Sequence, residues 1–371
     1  MFIRDLQLTN FKNYKEVSLE FSSNINCLYG NNGSGKTNIL DAVYYLSFCK
    51  SYLNVVDKQN IRFGENFFSI NSKWSKNNEL VGIQCVVKSG AKKVVKKNKK
   101  EYDKLADHIG LFPVVMISPY DRDLISEGSE LRRKWMDSII SQFDKEYLLL
   151  IQRYQKILEQ RNALLKEMYH HGLFDRESIE VWNDQMIDTG MRIFSKRTEF
   201  IQEFIYVFQE RYQMIGKSDE EVRIEYRSQL QENDFKILIQ QFEKKDALTQ
   251  YSNCGVHKDD LLFTIKGHPI KKFGSQGQQK SFIISLRLAQ YDWLKKHLDI
   301  KPVILLDDIF DKLDSTRVKH LIEIVSNSYF GQVIITDTDE GRLNDLFISN
   351  DIERKFFRIY DGQIEEVLTT N

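Results

Sequence analysis

Three short runs in this 371-residue chain carry side chains suited to one phosphate chemistry. Gly30-Asn31-Asn32-Gly33-Ser34-Gly35-Lys36-Thr37 has the Gly-x-x-x-x-Gly-Lys-Thr spacing. Its glycines let backbone N–H groups turn toward phosphates, and the positive end of the following helix adds to them. Lys36 is expected to reach the β- and γ-phosphates, Thr37 to give a hydroxyl ligand to Mg²⁺, and Asn38 to extend the same cradle. Val303-Ile304-Leu305-Leu306 is the apolar run of a strand buried on both faces, and it delivers Asp307 and Asp308. Asp307 is read as the second magnesium ligand. Asp308 is read as the group that orients the attacking water, because phosphoryl transfer depends mostly on positioning and charge control. The third run is Gly274-Ser275-Gln276-Gly277-Gln278-Gln279-Lys280. There Ser275, Gly277 and Gln278 open a helix and offer a hydroxyl and backbone amides to a second anion. One ATP needs one such loop, so the extra one points to a partner subunit's ATP; an ordinary capped helix is the alternative.

Elements must hold these residues. Ile25-Asn26-Cys27-Leu28-Tyr29 reads as a short strand running into the glycine loop, and Ile39, Val43 and Leu46 share one face of the helix after it. Leu6 and Leu8, then Val17, Leu19 and Phe21, alternate with polar residues as half-buried strands do. From about 126 to 250 the pattern turns helical. Ile151, Tyr154, Leu158, Leu165 and Met168 fall near helical spacing, a second stretch runs from about Glu177 to Tyr212, and no proline occurs between Pro119 and Pro269. The reading is therefore an α/β protein whose ATPase lobe is split into 1–125, with the phosphate loop, and 251–371, with the other two runs. An inserted α-helical lobe spans 126–250, its helices too short for a long coiled-coil arm.

The charge sums to zero, 53 basic against 53 acidic residues, which leaves nucleic acid open because binding depends on where lysines cluster. Lys92, Lys93, Lys96, Lys97, Lys99 and Lys100 crowd around Val94-Val95. They make either a ridge for phosphate backbone or a solvated hairpin with aggregation-resistant edges. The four cysteines are scattered without ligand spacing, so zinc and disulfides are not expected and reduced, half-buried thiols are. The histidines, His320 among them, have no ligand spacing either, and no second acidic cluster supports nuclease chemistry. The start lacks an apolar signal core and no run of about 18 apolar residues occurs, so a cytoplasmic protein without a membrane anchor is expected.

The chain resembles the RecF family of DNA repair ATPases, relatives of SMC and ABC transporter heads, along almost its whole length. The resemblance rests on Leu6-x-Leu8-x-Asn10-Phe11-Lys12-Asn13-Tyr14, the glycine loop, Ser118-Pro119-x-Asp121 and Glu127-Gly128-Ser129-x-x-Arg132-Arg133. Gly255-x-His257-Lys258-Asp259-Asp260, the Ser275 run, Asp307-Asp308 and Lys312-Leu313-Asp314 complete it. It implies an ABC-type P-loop ATPase head, mixed sheets with flanking helices, carrying a helical second lobe. It further implies ATP and Mg²⁺ as cofactors and an ATP-dependent homodimer in which Ser275 of each copy faces the phosphate held by the other's Lys36. The closed dimer would bind double-stranded DNA and single/double-strand junctions at gaps, and weak ATP hydrolysis would reopen it. RecO and RecR would be the mediator partners in loading recombinase, in replication, recombinational repair and the SOS response. Three positions depart from the wider pattern. Asp337 stands where transporter heads carry a switch histidine, Ser118 to Asp121 replaces the usual glutamine loop, and Ser51-Tyr52-Leu53 lacks a common arginine. The absent histidine and glutamine weigh against a transporter subunit, and the missing arms against a purely structural SMC-like head. Arg132 and Arg133 are expected to pair with acids or touch DNA, and the His257–Asp260 run to act as a hinge between lobes.

Overall fold

The computed structural model describes residues 1–215, 220–309, 329–341, 343 and 353–370. They form two compact units. The first takes Met1–Asp121, Met214–Lys217 and Lys280–Asn371, the second Arg122–Gln213 and Ser218–Gln279.

In the first unit, β1 (Phe2–Phe11), β2 (Tyr14–Glu20), β4 (Phe67–Lys76), β5 (Glu79–Lys88), β6 (Val94–Lys97) and β7 (Lys100–Glu101) make an antiparallel sheet in the order β2-β1-β4-β5-β6-β7. A second sheet has the order β15-β14-β3-β13-β12-β8. Its strands are β3 (Ile25–Tyr29), β8 (Val114–Ile117), β12 (Val303–Leu306), β13 (Val333–Asp337), β14 (Arg354–Tyr360) and β15 (Gln363–Thr370). All but β15 run parallel, and β3, β8, β12 and β13 are buried along their whole length, as continuous apolar runs require. Helix α1 (Lys36–Phe48) contacts β8 and β13 of one sheet and β5 of the other. Ile39, Val43 and Leu46 are buried as their spacing predicts, beside Phe11, Phe68 and Trp74 in the same core. A helix enclosed this way has little freedom to tilt, so its N-terminus is a fixed platform.

The second unit begins with the short helix α2 (Asp123–Ser126) and continues with α3 (Ser129–Phe143), α4 (Lys145–His171) and α5 (Arg176–Ile215). Strand β9 (Val222–Arg227) follows, then α6 (Phe235–Thr249), β10 (Asp260–Ile265), β11 (His268–Pro269) and α7 (Ile270–Phe273). Helix α8 (Gln276–Leu298) starts in this unit and ends in the first. The 126–250 segment is thus not wholly helical. Val222, Ile224 and Tyr226 are buried and alternate with exposed Arg223, Glu225 and Arg227, and β9 pairs antiparallel with β10. The run is too short for a six-residue alternation to stand out against the long helices before it.

The His257–Asp260 run, expected at a hinge, finds its partners inside the second unit. Arg197, 3% exposed, donates to the Asp259 carboxylate at 2.7 Å, to Asp137 at 3.1 Å and to the Val256 carbonyl at 2.7 Å. Arg132 holds Asp260 through two bonds of 2.7 and 3.1 Å, and Arg133 donates to the Asp259 carbonyl at 2.6 Å. Both arginines are therefore anchors of this unit. The His257 ring bonds the Tyr154 hydroxyl at Nδ1 (2.9 Å) and donates from Nε2 to the Ser252 carbonyl (3.0 Å), and the neutral imidazole satisfies both with Nδ1 as acceptor.

Burial pushes His257 down to about 4, opposed by the bond to Ser252. In the unfolded chain the ring takes a proton near 6.5, so between those values the unfolded state binds more protons and stability falls as pH drops. Urea unfolding at pH 7 and pH 4.5 should show the wild type losing about 2 kcal/mol more than His257→Gln, whose amide does not titrate. Equal losses would contradict the assignment.

All four cysteines are buried and free, more deeply placed than their sequence context suggests.

Candidate nucleotide site

Strand order decides what meets at the carboxyl ends of the parallel sheet. The glycine loop leaves β3 and the acids leave β12, but β13 lies between them. Two strand spacings of about 4.8 Å separate the loop from the acids, and the last residues of β13 fill that gap. Ligands bind in such crevices beyond the carboxyl ends of parallel strands.

The glycine loop is held in one shape. Gly30 has φ 145°, and a Cβ there would come within 2.1 Å of the Ile359 carbonyl oxygen. Gly35 has φ 116°, and a Cβ would sit 2.6 Å from both the Asn13 amide and the Tyr14 hydroxyl. Neither position admits another residue. Asn31, Asn32 and Gly33 are exposed on the rim, while Ser34 and Lys36 are buried. Lys36 Nζ donates to the carbonyls of Gly30 (2.7 Å) and Asn31 (3.0 Å), both within its own loop. Burial lowers its pKa, and the carboxylates of Asp308, Asp307 and Asp337 oppose that shift.

Thr37 donates to Asp307 Oδ1 at 2.9 Å, bringing together the two residues expected to hold magnesium. Thr336, near the end of β13, also donates to Asp307 Oδ1 at 2.9 Å and accepts from the Asp308 amide at 3.0 Å. Burial pushes the Asp307 carboxyl up to about 6, against the bonds from Thr37 and Thr336. Asp308 carries a left-handed φ of 43°, a conformation a non-glycine residue keeps only where neighbours hold it. The Thr336 bond is one such hold. Asp337 caps its own turn, accepting from the Asp339 amide at 2.9 Å. Ser118 to Asp121 begins at the end of β8, where Asp121 accepts from Tyr52 and from Arg287. Lys312-Leu313-Asp314 and His320 lie outside the described residues.

Sequence reasoning missed Thr336 and the parts played by Asn13 and Tyr14. Thr336 follows a buried run as Asp307 does, and that position was its only signal. Asn13 Nδ2 donates to the Ser34 carbonyl (3.1 Å), and Asn13 Oδ1 accepts from Asn38 Nδ2 (2.7 Å). Asn38, expected at the nucleotide, is thus turned toward Asn13. The turn that presents Asn13 is strained, with φ of 53° at both Asn10 and Lys12. It is held by Lys12 N–H to the Asn60 carbonyl, Arg62 N–H to the Asn10 carbonyl, and a 2.6 Å ion pair between Lys12 and buried Asp41. Asn13→Ala removes both bonds to the loop. It should weaken ATP binding roughly tenfold, two net hydrogen bonds at about 1 kcal/mol or less each. Calorimetric titration that finds unchanged affinity would show the loop keeps its shape without Asn13.

The residues fit a magnesium-bound nucleotide. Glycines shape a cradle that a Cβ would fill. The buried hydroxyls of Ser34 and Tyr14 find no partner among the described residues. The Thr37 hydroxyl and Asp307 carboxylate supply the hard oxygen ligands magnesium takes.

In the second unit, exposed Ser275 accepts from the Gln278 amide at 3.2 Å, and Gln278 Oε1 accepts in return from the Ser275 amide at 2.7 Å. This reciprocal pair caps α8, and Gln278 Nε2 donates to Glu220 at 2.7 Å. The capped-helix alternative describes the bonds within the chain. Cap and anion site coexist, because the serine accepts one bond and keeps its own proton to donate. Gly277 lies in the first turn of that helix.

The expected lysine ridge loses Lys93. Its Nζ binds Asp57 at 2.7 Å and the Cys49 carbonyl, packed over the Tyr45 ring. It precedes β6 and points inward, an orientation the sequence did not display.

A family model described as the RecF/RecN/SMC N terminal domain matches residues 2–348. The DNA replication and repair protein RecF of Flavobacterium johnsoniae is 49% identical over 359 residues, covering 97% of this chain and 100% of the relative. That of Phocaeicola vulgatus is 46% identical over 368 residues, covering 99% and 98%. A solved structure of the recombination mediator protein RecF with ATP, in the RecFOR pathway, superimposes with TM-score 0.88 at 27% identity, covering 100% of this chain and 98% of that one. An Smc head bound to the C-winged helix domain of ScpA aligns with TM-score 0.57 at 15% identity, a likeness of fold alone.

Proposed function

We propose, from the premise that the chain belongs to the RecF family of DNA replication and repair proteins, that it is an ATP-gated DNA clamp acting as a recombination mediator. The observation that carries this is the convergence of Lys36, Thr37, Asp307 and Thr336 at one sheet end, together with an exposed, capped Ser275 on the other unit. Lys36 and the loop amides bind the ATP phosphates, and Thr37 and Asp307 hold magnesium, which supplies charge neutralisation there. Asp308 orients water for hydrolysis, with its backbone fixed by Thr336. Ser275 donates to the terminal phosphate held by a second copy, so ATP favours the dimer by binding it better than the monomer.

The dimer closes on duplex DNA and single/double-strand junctions at gaps. RecO and RecR are the partners in loading recombinase, and hydrolysis releases the DNA. The likeness to RecF with ATP in the RecFOR pathway supports this reading. Among the described residues no helix is long and apolar enough to cross a membrane.

Ser275→Arg tests the trans role. It should leave monomer affinity for ATP within about twofold, because no residue of the glycine loop is touched, while abolishing the ATP-dependent dimer in light scattering. A variant that still dimerises with ATP, or one that no longer binds ATP as a monomer, would contradict the assignment.

A further inference from the structure

We propose that the solvent face of the antiparallel sheet cradles the sugar-phosphate backbone of duplex DNA, an inference that rests on the clamp reading above. Strand register sets Ser18, Gln7, Asn71, Gln84 and Lys96 directly opposite one another across β2, β1, β4, β5 and β6. At about 4.8 Å per strand the row is about 19 Å long. That matches the axial rise of roughly five or six base pairs of duplex DNA. A cleft of about 610 Å³ runs along this row, with Lys73 and Lys99 also in its lining.

The residue types are the argument. Exposed strand positions favour β-branched and aromatic side chains, yet three carboxamides stand side by side here. Gln84 Nε2 donates to Asn71 Oδ1 at 2.8 Å, and Asn71 Nδ2 donates to Ser69 Oγ at 3.1 Å. Each amide nitrogen carries a second N–H to offer outward. Neutral donors of this kind make many of the phosphate and sugar contacts in DNA complexes. The row has no aromatic or aliphatic side chain on which a base could stack, so it suits backbone rather than sequence.

Charge follows the same plan. Lys73, Lys96 and Lys99 lie on the β4–β6 side. Asp5, Glu16 and Glu20 lie on the β1–β2 side, Asp5 paired with Lys73 at 3.7 Å and Glu20 with Arg4 at 3.9 Å, so the β4–β6 side is the one that meets phosphate. Glu101, on the edge strand β7, stands beside Lys96. Lys97 belongs to the other face by strand alternation, so only part of the lysine cluster takes part.

The test is fluorescence anisotropy of the full chain with ATP and Mg²⁺ on a labelled random-sequence duplex, across a KCl series. Lys73→Ala/Lys96→Ala/Lys99→Ala should reduce the log–log salt slope by about 2 to 3, at roughly 0.9 for each phosphate no longer neutralised. Gln84→Glu, a near-isosteric surface change in mid-row, should weaken binding roughly tenfold by setting a carboxylate against phosphate. Both variants should bind a fluorescent ATP analogue as the wild type does. If the wild type binds duplex while both variants keep its slope and affinity, the face contacts something else, a protein partner included, and the inference falls while the clamp reading stands. A wild type that binds no DNA with ATP would overturn the clamp reading and this inference together.

Discussion

Lys36→Ala should lower affinity for ATP roughly a hundredfold, about 3 kcal/mol. The loss has two sources in the structure. Lys36 Nζ is the donor to the Gly30 and Asn31 carbonyls, so its removal frees the loop as well as deleting the cation proposed to meet the phosphates. It is also the cation facing Asp307, Asp308 and Asp337, whose charges all act on it. Without it, the carboxylates whose charges act there lose a counter-charge where a polyanion has to bind. Truncating one member of a buried charge cluster costs more than the attraction it supplied, because the remaining charges stay in a low-dielectric site. Lys36→Arg should not restore binding, since the planar guanidinium does not substitute for a compact ammonium in a tight loop. Isothermal titration with ATP and Mg²⁺ checks both variants. An alanine variant within tenfold of wild type would mean the loop amides alone carry the affinity.

Arg197→Met should destabilise the second unit by about 3 to 5 kcal/mol. One buried guanidinium serves two carboxylates, Asp137 and Asp259, and a backbone carbonyl, while Tyr147 lies 3.1 Å from its Nε. Deleting it leaves buried Asp259 and part-buried Asp137 without their cation. Lysine cannot replace it, because one ammonium cannot reach both acids in the same geometry. Arg197→Met/Asp259→Asn should recover part of the loss by removing one of the stranded charges, which distinguishes a charge effect from poorer packing. Urea denaturation of the full chain measures all three. A shift below about 1 kcal/mol for Arg197→Met would show that water reaches the cluster and relieves it.

The residues that were legible in the sequence share one property: local spacing encodes them. The glycine loop, the apolar run before Asp307 and the helical spacing through α4 and α5 each carry their signal within a few residues. The chain's place in the RecF family could be recognised from the same motifs. What was not legible depends on which strands lie side by side. Thr336 matters because β13 runs between β3 and β12, and no spacing in the chain announces that order. Asn13 reaches Ser34 and Asn38 across a strained turn whose holds come from Asn60, Arg62 and Asp41. Lys93 looked like its neighbours in a lysine run, but its place just before β6 turns it inward to Asp57. Strand β9 was hidden by brevity, and the His257–Asp260 run by arginine partners more than fifty residues away in sequence.

The central claim is that ATP joins two copies around DNA. Sedimentation velocity of Asp308→Asn tests it most directly, since this change spares Lys36, Thr37 and Asp307 while removing the carboxylate proposed to orient water. The account predicts a monomer without nucleotide, a stable dimer with ATP and Mg²⁺, and co-sedimentation of gapped duplex with that dimer only. A monomer under every condition, or a dimer indifferent to ATP, would contradict it.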